Sequence, residues 1–201
     1  MNIQIEPYRP AYNAILKKLD SVGADSQNAV KNAVNDTAKN LKNELHEAVK
    51  GTYSIKNAKF HRADIKKINA TRNKLEATVS VSGAPLTLYS SYKFYKNTKH
   101  KSVRAAVKRS GGKKDLQLSG GGYKAFIATM SNGHTGIFQR RPGSHMKKGG
   151  QDREKIKEII ALSKSKAAEM TFKEQLHDDT AEYLNLMLHK QMNMALGGKI
   201  I

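Results

Sequence analysis

The chain has 201 residues, 38% of them hydrophobic, with no tryptophan and no cysteine, so one modest core is expected and disulfides, thiolate metal sites and a cysteine nucleophile are excluded. Lys and Arg number 36 against 17 Asp and Glu, and the excess is local: 7 against 6 in residues 1–50, 21 against 3 in 51–150, and 8 against 8 in 151–201. A field of that strength gathers polyanions or acidic partners at the middle third and weakens with salt.

Met1 to Tyr12 alternates polar and apolar residues, so no signal peptide is expected, and no stretch approaches the roughly 18 apolar residues of a membrane span. After Pro10, Ile15, Leu16 and Leu19 predict a short helix that breaks at Ser21-Val22-Gly23, making residues 1–24 an N-terminal arm. From the N-cap candidate Asp25, apolar residues recur every three or four positions at Val30, Val34, Ala38, Leu41, Leu45 and Val49. That is one stripe on a helix closed by Gly51, with Lys31, Asn35, Lys39 and Lys42 on a polar opposite face.

Ile55, Phe60, Ile65 and Ile68 fit a short helix or turn followed by a strand. Leu75, Ala77, Val79 and Val81 alternate with polar residues as a half-buried strand. Ser82-Gly83-Ala84-Pro85 turns the chain into a second extended piece from Leu86 and Leu88 to Tyr89, Tyr92, Phe94 and Tyr95. Val103, Ala105 and Val107 predict a third strand with a basic outer face. The Gly- and Lys-rich residues 110–122 predict a mobile loop, part of a basic Gly-rich segment spanning about 96–122. Asn132-Gly133 between Phe126–Met130 and Gly136–Arg140 predicts a β-hairpin with a two-residue turn. Pro142 to Gln151 then reads as a polar connection, and 153–170 as helix or as an extended piece with a turn. Thr171-Phe172-Lys173-Glu174 matches a capping box. Phe172, Leu176, Tyr183, Leu184, Met187, Leu188 and Met192 then mark the apolar face of a second long helix that runs up to Gly197-Gly198.

The expected fold is therefore α+β: a central antiparallel sheet with two long helices packed on one face, as a single domain over 25–196 followed by a tail at 197–201. Packing within the helices, or between copies of the chain, falls to Val30, Val34, Leu41, Leu45, Leu184, Leu188 and Met192.

No catalytic constellation emerges. A metal-dependent nuclease needs converging carboxylates, and the basic middle offers only Asp64, Glu76 and Asp115. His177-Asp178-Asp179 superficially resembles a ligand cluster, but adjacent helix positions point to different sides. Gly120-Gly121-Gly122 lacks the Lys-Ser/Thr ending of a phosphate-binding loop, and no cofactor is expected. The basic cluster is Lys93, Lys96, Lys99, Lys101, Arg104, Lys108, Arg109, Lys113 and Lys114, with a second group in Arg140, Arg141, Lys147 and Lys148. Interleaved Tyr92, Phe94 and Tyr95 either stack on unpaired bases or fill the sheet as ordinary strand residues.

Three segments together resemble the phage minor tail protein Z family of tail-completion and neck proteins. They are the helix Ala29–Lys39 leading to Tyr53-Ser-Ile55, the run Leu75–Leu88, and Ala125–Arg140 with its Phe-Ile strand, Gly-containing turn and Phe138 followed two residues later by Arg140. With the terminal helix, the resemblance covers about residues 28–195. It implies a non-enzymatic virion protein that finishes the head-proximal end of an assembled tail and helps it join the head. It further implies a ring matched to a hexameric tail tube, with tail tube or tail terminator protein and head connector proteins as partners. Double-stranded DNA in transit, or an acidic face of a neighbouring ring, would meet the basic cluster, with host cytoplasm as the site of assembly. The alternative from the residues alone is a nucleic-acid-binding accessory protein that uses residues 93–114.

Overall fold

The computed structural model describes residues 1–7, 13, 17, 26–97, 102–116, 123–148 and 151–197. The expected helix around Ile15, Leu16 and Leu19 lies outside them, as do Lys99, Lys101, the glycines 120–122 and the tail beyond Gly197.

In chain order the elements are β1 (Asn2–Ile5), α1 (Ser26–Thr52), β2 (Ile65–Ile68), β3 (Ala77–Val81), β4 (Leu86–Thr87), the single turn α2 (Leu88–Ser91), β5 (Phe94–Asn97), β6 (Ser102–Ala105) and β7 (Lys114–Asp115). They continue with β8 (Phe126–Thr129), β9 (Thr135–Lys148), β10 (Gln151–Glu158), β11 (Ile160–Ala161), α3 (Lys164–Thr171), a π-helical stretch (Phe172–Leu176) and α4 (His177–Ala195). The class is α+β, with every sheet pairing antiparallel. The expected single central sheet is not what forms: the described strands divide among the sheets β1-β3-β2, β5-β6-β7 and β10-β9-β8 and the pair β11-β4. The chain gathers into two compact units, one of Met1–Val49, His61–Ser82 and Ser165–Ile201, the other of Lys50–Phe60 and Gly83–Lys164.

In the first unit β3 is the central strand, and Ala77, Val79 and Val81 are buried at alternate positions as its sequence predicts. The stripe of α1 is buried along its whole length, from Val30 through Val34, Ala38, Leu41 and Leu45 to Val49, joined by Ala29, Ala33 and Thr37. Its opposite face is not wholly solvated. The Asn35 amide donates to the Ala70 carbonyl at 3.2 Å and accepts from the Ala70 N–H at 2.8 Å, fixing α1 against the chain that follows β2. The N-terminal ammonium donates to the Val81 carbonyl and to Ser165 Oγ, tying the start of β1 to the end of β3.

The expected capping box at Thr171 is corrected. Thr171 has helical backbone angles, is fully buried, and donates its hydroxyl to the Ala167 carbonyl at 2.9 Å, four residues back within a helix that already began at Lys164. A Thr hydroxyl satisfied by the preceding turn leaves nothing to cap, so the Thr-x-x-Glu spacing here is coincidental. Leu176, Leu184, Met187 and Leu188 are buried and Met192 is half-buried.

In the second unit the extended piece expected from Leu86 to Tyr95 is interrupted by the α2 turn, which the Tyr92 N–H closes onto the Leu88 carbonyl. Residues 53–56 run between two neighbours: Ser54 N–H donates to the Val107 carbonyl, while the Lys93 N–H donates to the Ser54 carbonyl and the Lys56 N–H to the Ser91 carbonyl. Tyr53, Ile55, Phe60, Leu88 and Tyr92 are buried around this crossing. The segment 110–122 is not simply a loop. Lys114–Asp115 pairs with β6, and the Leu116 N–H donates to the Val103 carbonyl. Residues 117–122 lie outside the described chain.

The hairpin predicted by Asn132-Gly133 is present, with Thr129 opposite Thr135 and Phe126 opposite Phe138. Its loop has three residues, not two. The Gly133 N–H donates to the Met130 carbonyl, the Met130 N–H to the His134 carbonyl, and Gly133 takes a φ of +81°. Asn132 serves by its side chain, which accepts from the His134 N–H at 3.1 Å. Gly133→Val places a β-branched residue in the left-handed region and is expected to cost about 1–3 kcal/mol. A thermal melting temperature equal to that of the parent would refute the strain.

The polar connection expected at Pro142–Gln151 is also corrected: β9 runs through it to Lys148 and returns as β10. Residues Arg141 to Ser144 stand against Lys155 alone, because the register jumps from His145↔Glu154 to Arg140↔Ile156. Pro142, which has no N–H to give a ladder, and Gly143, at φ +71°, fall inside this bulge.

Candidate functional site

The net charge divides unequally between the units. The second unit holds 21 Lys and Arg against four Asp and Glu, a net of +17, while the first holds 15 against 13, a net of +2. The candidate site is therefore the surface of the second unit, which contains two basic constructions.

The first is the sheet β5-β6-β7. Register sets Tyr95, Arg104 and Asp115 side by side on one face, and Phe94, Ala105 and Lys114 on the other. Arg104 Nε lies 3.5 Å from Asp115 Oδ1, and its guanidinium donates to the Lys113 carbonyl at 3.2 Å. Lys113 Nζ sits 3.8 Å above the centre of the Tyr95 ring, a close cation–π contact. Lys96 and Lys114 are exposed, as is Lys93. Lys108 is half-buried and Arg109 exposed, and both are held at Tyr53: the Lys108 ammonium lies 6.0 Å from the Tyr53 ring and Arg109 Nε donates to the Tyr53 carbonyl at 3.3 Å. Of the predicted cluster the structure thus brings together Lys93, Lys96, Arg104, Lys108, Arg109, Lys113 and Lys114, in differing states of exposure.

The aromatics do not form a stacking platform. Tyr92 is wholly buried, Phe94 stacks on Tyr89 with centroids 5.2 Å apart under Lys56, and the exposed Tyr95 ring carries Lys113 on its face. This surface offers cations to a partner.

The second construction is the ribbon β9–β10. Arg140, Arg141 and Lys147 are exposed on β9, with Arg140 packed 5.8 Å from the Phe126 ring, and Lys148 pairs with Gln151 through the ladder. On β10 the order Asp152, Arg153, Glu154, Lys155, Ile156, Lys157, Glu158 alternates charge sign with the pleat, so its cations and its acids leave opposite faces. Contacts on the acidic face agree. Glu154 accepts from the Tyr123 hydroxyl at 2.8 Å, Asp152 lies 3.3 Å from His145, and Glu158 lies 3.1 Å from His134. At the ribbon's root Arg140, Arg141 and Lys157 line a cleft of about 310 Å³.

Arg153, Lys155 and Lys157 were outside the basic cluster expected from sequence, because windows of net charge average them to nothing. The signal that finds them is the period-two alternation of sign.

The residues expected to pack helices do so inside the chain. Val30, Val34, Leu41, Leu45, Leu184 and Leu188 are buried, which leaves the α1 stripe no open face for another copy. The large apolar residues exposed on α4 are Leu186 and Met194. Among the described residues no group of three or more His, Asp or Glu could hold a metal ion, and no helix is long and apolar enough to cross a membrane. His177 pairs with Asp178 at 2.8 Å and meets the Phe172 ring edge-on, with centroids 5.8 Å apart. Comparison with protein-family models, with curated proteins and with solved structures finds no match.

Proposed function

We propose that this chain is a structural virion protein that completes the head-proximal end of a long phage tail and supports head–tail joining as a ring, hexameric to match the tail tube. The observation that carries it is the segregation of charge, +17 on one compact unit and +2 on the other. Self-repulsion of that size is tolerated where a polyanionic neighbour neutralises it, and the nearly neutral unit is free of that repulsion when copies meet. The sequence resemblance supplies the setting: tail tube or terminator protein on one side and head connector proteins on the other. Lateral contacts in such a ring fall to surfaces other than the α1 stripe, which the chain covers itself. Removal of the gene from its phage is expected to leave filled heads and unjoined tails, and purified protein added to that lysate to restore joining. Intact infectious particles in its absence overturn the reading and leave the nucleic-acid-binding alternative.

A further inference from the structure

We propose that the cationic face of the β9–β10 ribbon is a docking surface for duplex DNA that grips the phosphate backbone without reading sequence. This goes beyond the virion role and stands on the ribbon itself.

The ribbon is an antiparallel pair with no core of its own. Among its described residues from Arg140 to Lys147 and from Asp152 to Ile156, none is buried. A strand pair in that state presents two faces to whatever approaches, and here the faces differ in sign. One carries Arg153, Lys155 and Lys157 from β10, all exposed, with Met146 opposite Arg153 and Gln139 opposite Lys157. The other carries Asp152, Glu154 and Glu158, each engaged by a Tyr or His side chain, with Lys147 opposite Asp152 and Arg140 opposite Ile156, so its acids outnumber its cations by one. Lys155 and Lys157 have no acidic partner among the described residues.

Alternate residues on a strand are about 6–7 Å apart, so the three cations follow one another along β10, with Arg153 and Lys157 at paired positions on either side of the bulge and Lys155 within it. Evenly repeated negative charge is what a nucleic-acid backbone supplies. A folded acidic protein would instead be expected to use a desolvated aromatic or aliphatic anchor at the centre of the contact, and at the paired positions from Arg153 to Lys157 this face holds Met146 as its apolar group among the described residues. Gln139 opposite Lys157 and Gln151 opposite Lys148 are the amides at register positions on this side, and a row of cations along one strand meets phosphates whatever the bases, so the binding is sequence-independent.

The test uses the full chain and a short mixed-sequence duplex, with fluorescence anisotropy read across a salt series. Arg153→Gln/Lys155→Gln/Lys157→Gln is expected to weaken binding roughly 10–100-fold and to flatten the slope of log K against log salt by about 2–3, close to one per lost phosphate contact. A scrambled duplex should bind the parent chain equally well. Lys39→Gln/Lys66→Gln/Lys67→Gln removes the same charge from the first unit and is expected to leave affinity and slope near those of the parent. Unchanged melting temperatures would show that both variants fold. The proposal is overturned if the parent chain fails to bind duplex, if the ribbon variant binds as the parent does, if the control loses as much as the ribbon variant, or if polyglutamate competes as well as DNA. All of these are read on the isolated protein, so failure here is separate from failure of the tail-joining test.

Discussion

Tyr92→Ala is expected to cost about 3–5 kcal/mol, a large part of the roughly 5–15 kcal/mol that holds a domain folded. Tyr92 is among the largest side chains with no exposure, and it sits where residues 53–56 meet the chain after α2, bridged to Ile55. Its hydroxyl donates to the Leu162 carbonyl at 2.9 Å, so one ring is packed along its body and satisfied at its tip. Tyr92→Phe keeps the body and loses the tip, leaving the Leu162 carbonyl without that donor, and should cost about 1–2 kcal/mol at neutral pH.

The same residue predicts an alkaline limit. Burial, reinforced by the neighbouring Tyr53 phenol, pushes the Tyr92 phenol from its ordinary 10.0 up to about 12. Above pH 10 the unfolded chain has given up this proton while the folded chain still holds it. The unfolded state then binds fewer protons, and stability falls as pH rises. The contribution is complete below about pH 10 and is lost through about pH 12. Urea midpoints at neutral and alkaline pH are expected to fall more steeply for the parent than for Tyr92→Phe, which has no phenol to ionise. Parallel curves would refute the assignment.

What the sequence made legible is what local periodicity encodes. The α1 stripe, the alternation in β3 and the Asn-Gly hairpin each follow from spacing within one element, and each is present. What it hid depends on partners distant in sequence. Nothing near Tyr92 shows that Leu162 will take its hydroxyl, and nothing near Asn35 shows that Ala70 will satisfy both ends of its amide. Pro142 and Gly143 look like the end of a strand, because the bulge that accommodates them exists only against Lys155 on β10. The basic site was half visible for a related reason. Counting charge over windows finds Lys93 to Lys114, whose signs agree, and misses Arg153, Lys155 and Lys157, whose neighbours cancel them in sequence but face the other way in space.

Leu45→Ala on α1 is expected to cost about 2–5 kcal/mol, whereas Leu186→Ala on α4 should change stability by less than about 0.5 kcal/mol. Both are leucines in long helices, and composition cannot separate them. Leu45 has no exposure and lies on the stripe shared with Leu41 and Val49, so truncation removes buried methyl groups and leaves a cavity that a closely packed helix face can only partly close. Leu186 is 59% exposed, and its truncation removes little surface that folding had taken from water. Chemical denaturation of the two single variants, compared at equal m-value, checks the pair. Equal losses would mean that the α4 face is covered in solution, and a small loss at Leu45 would mean that the α1 stripe is not the core of the first unit.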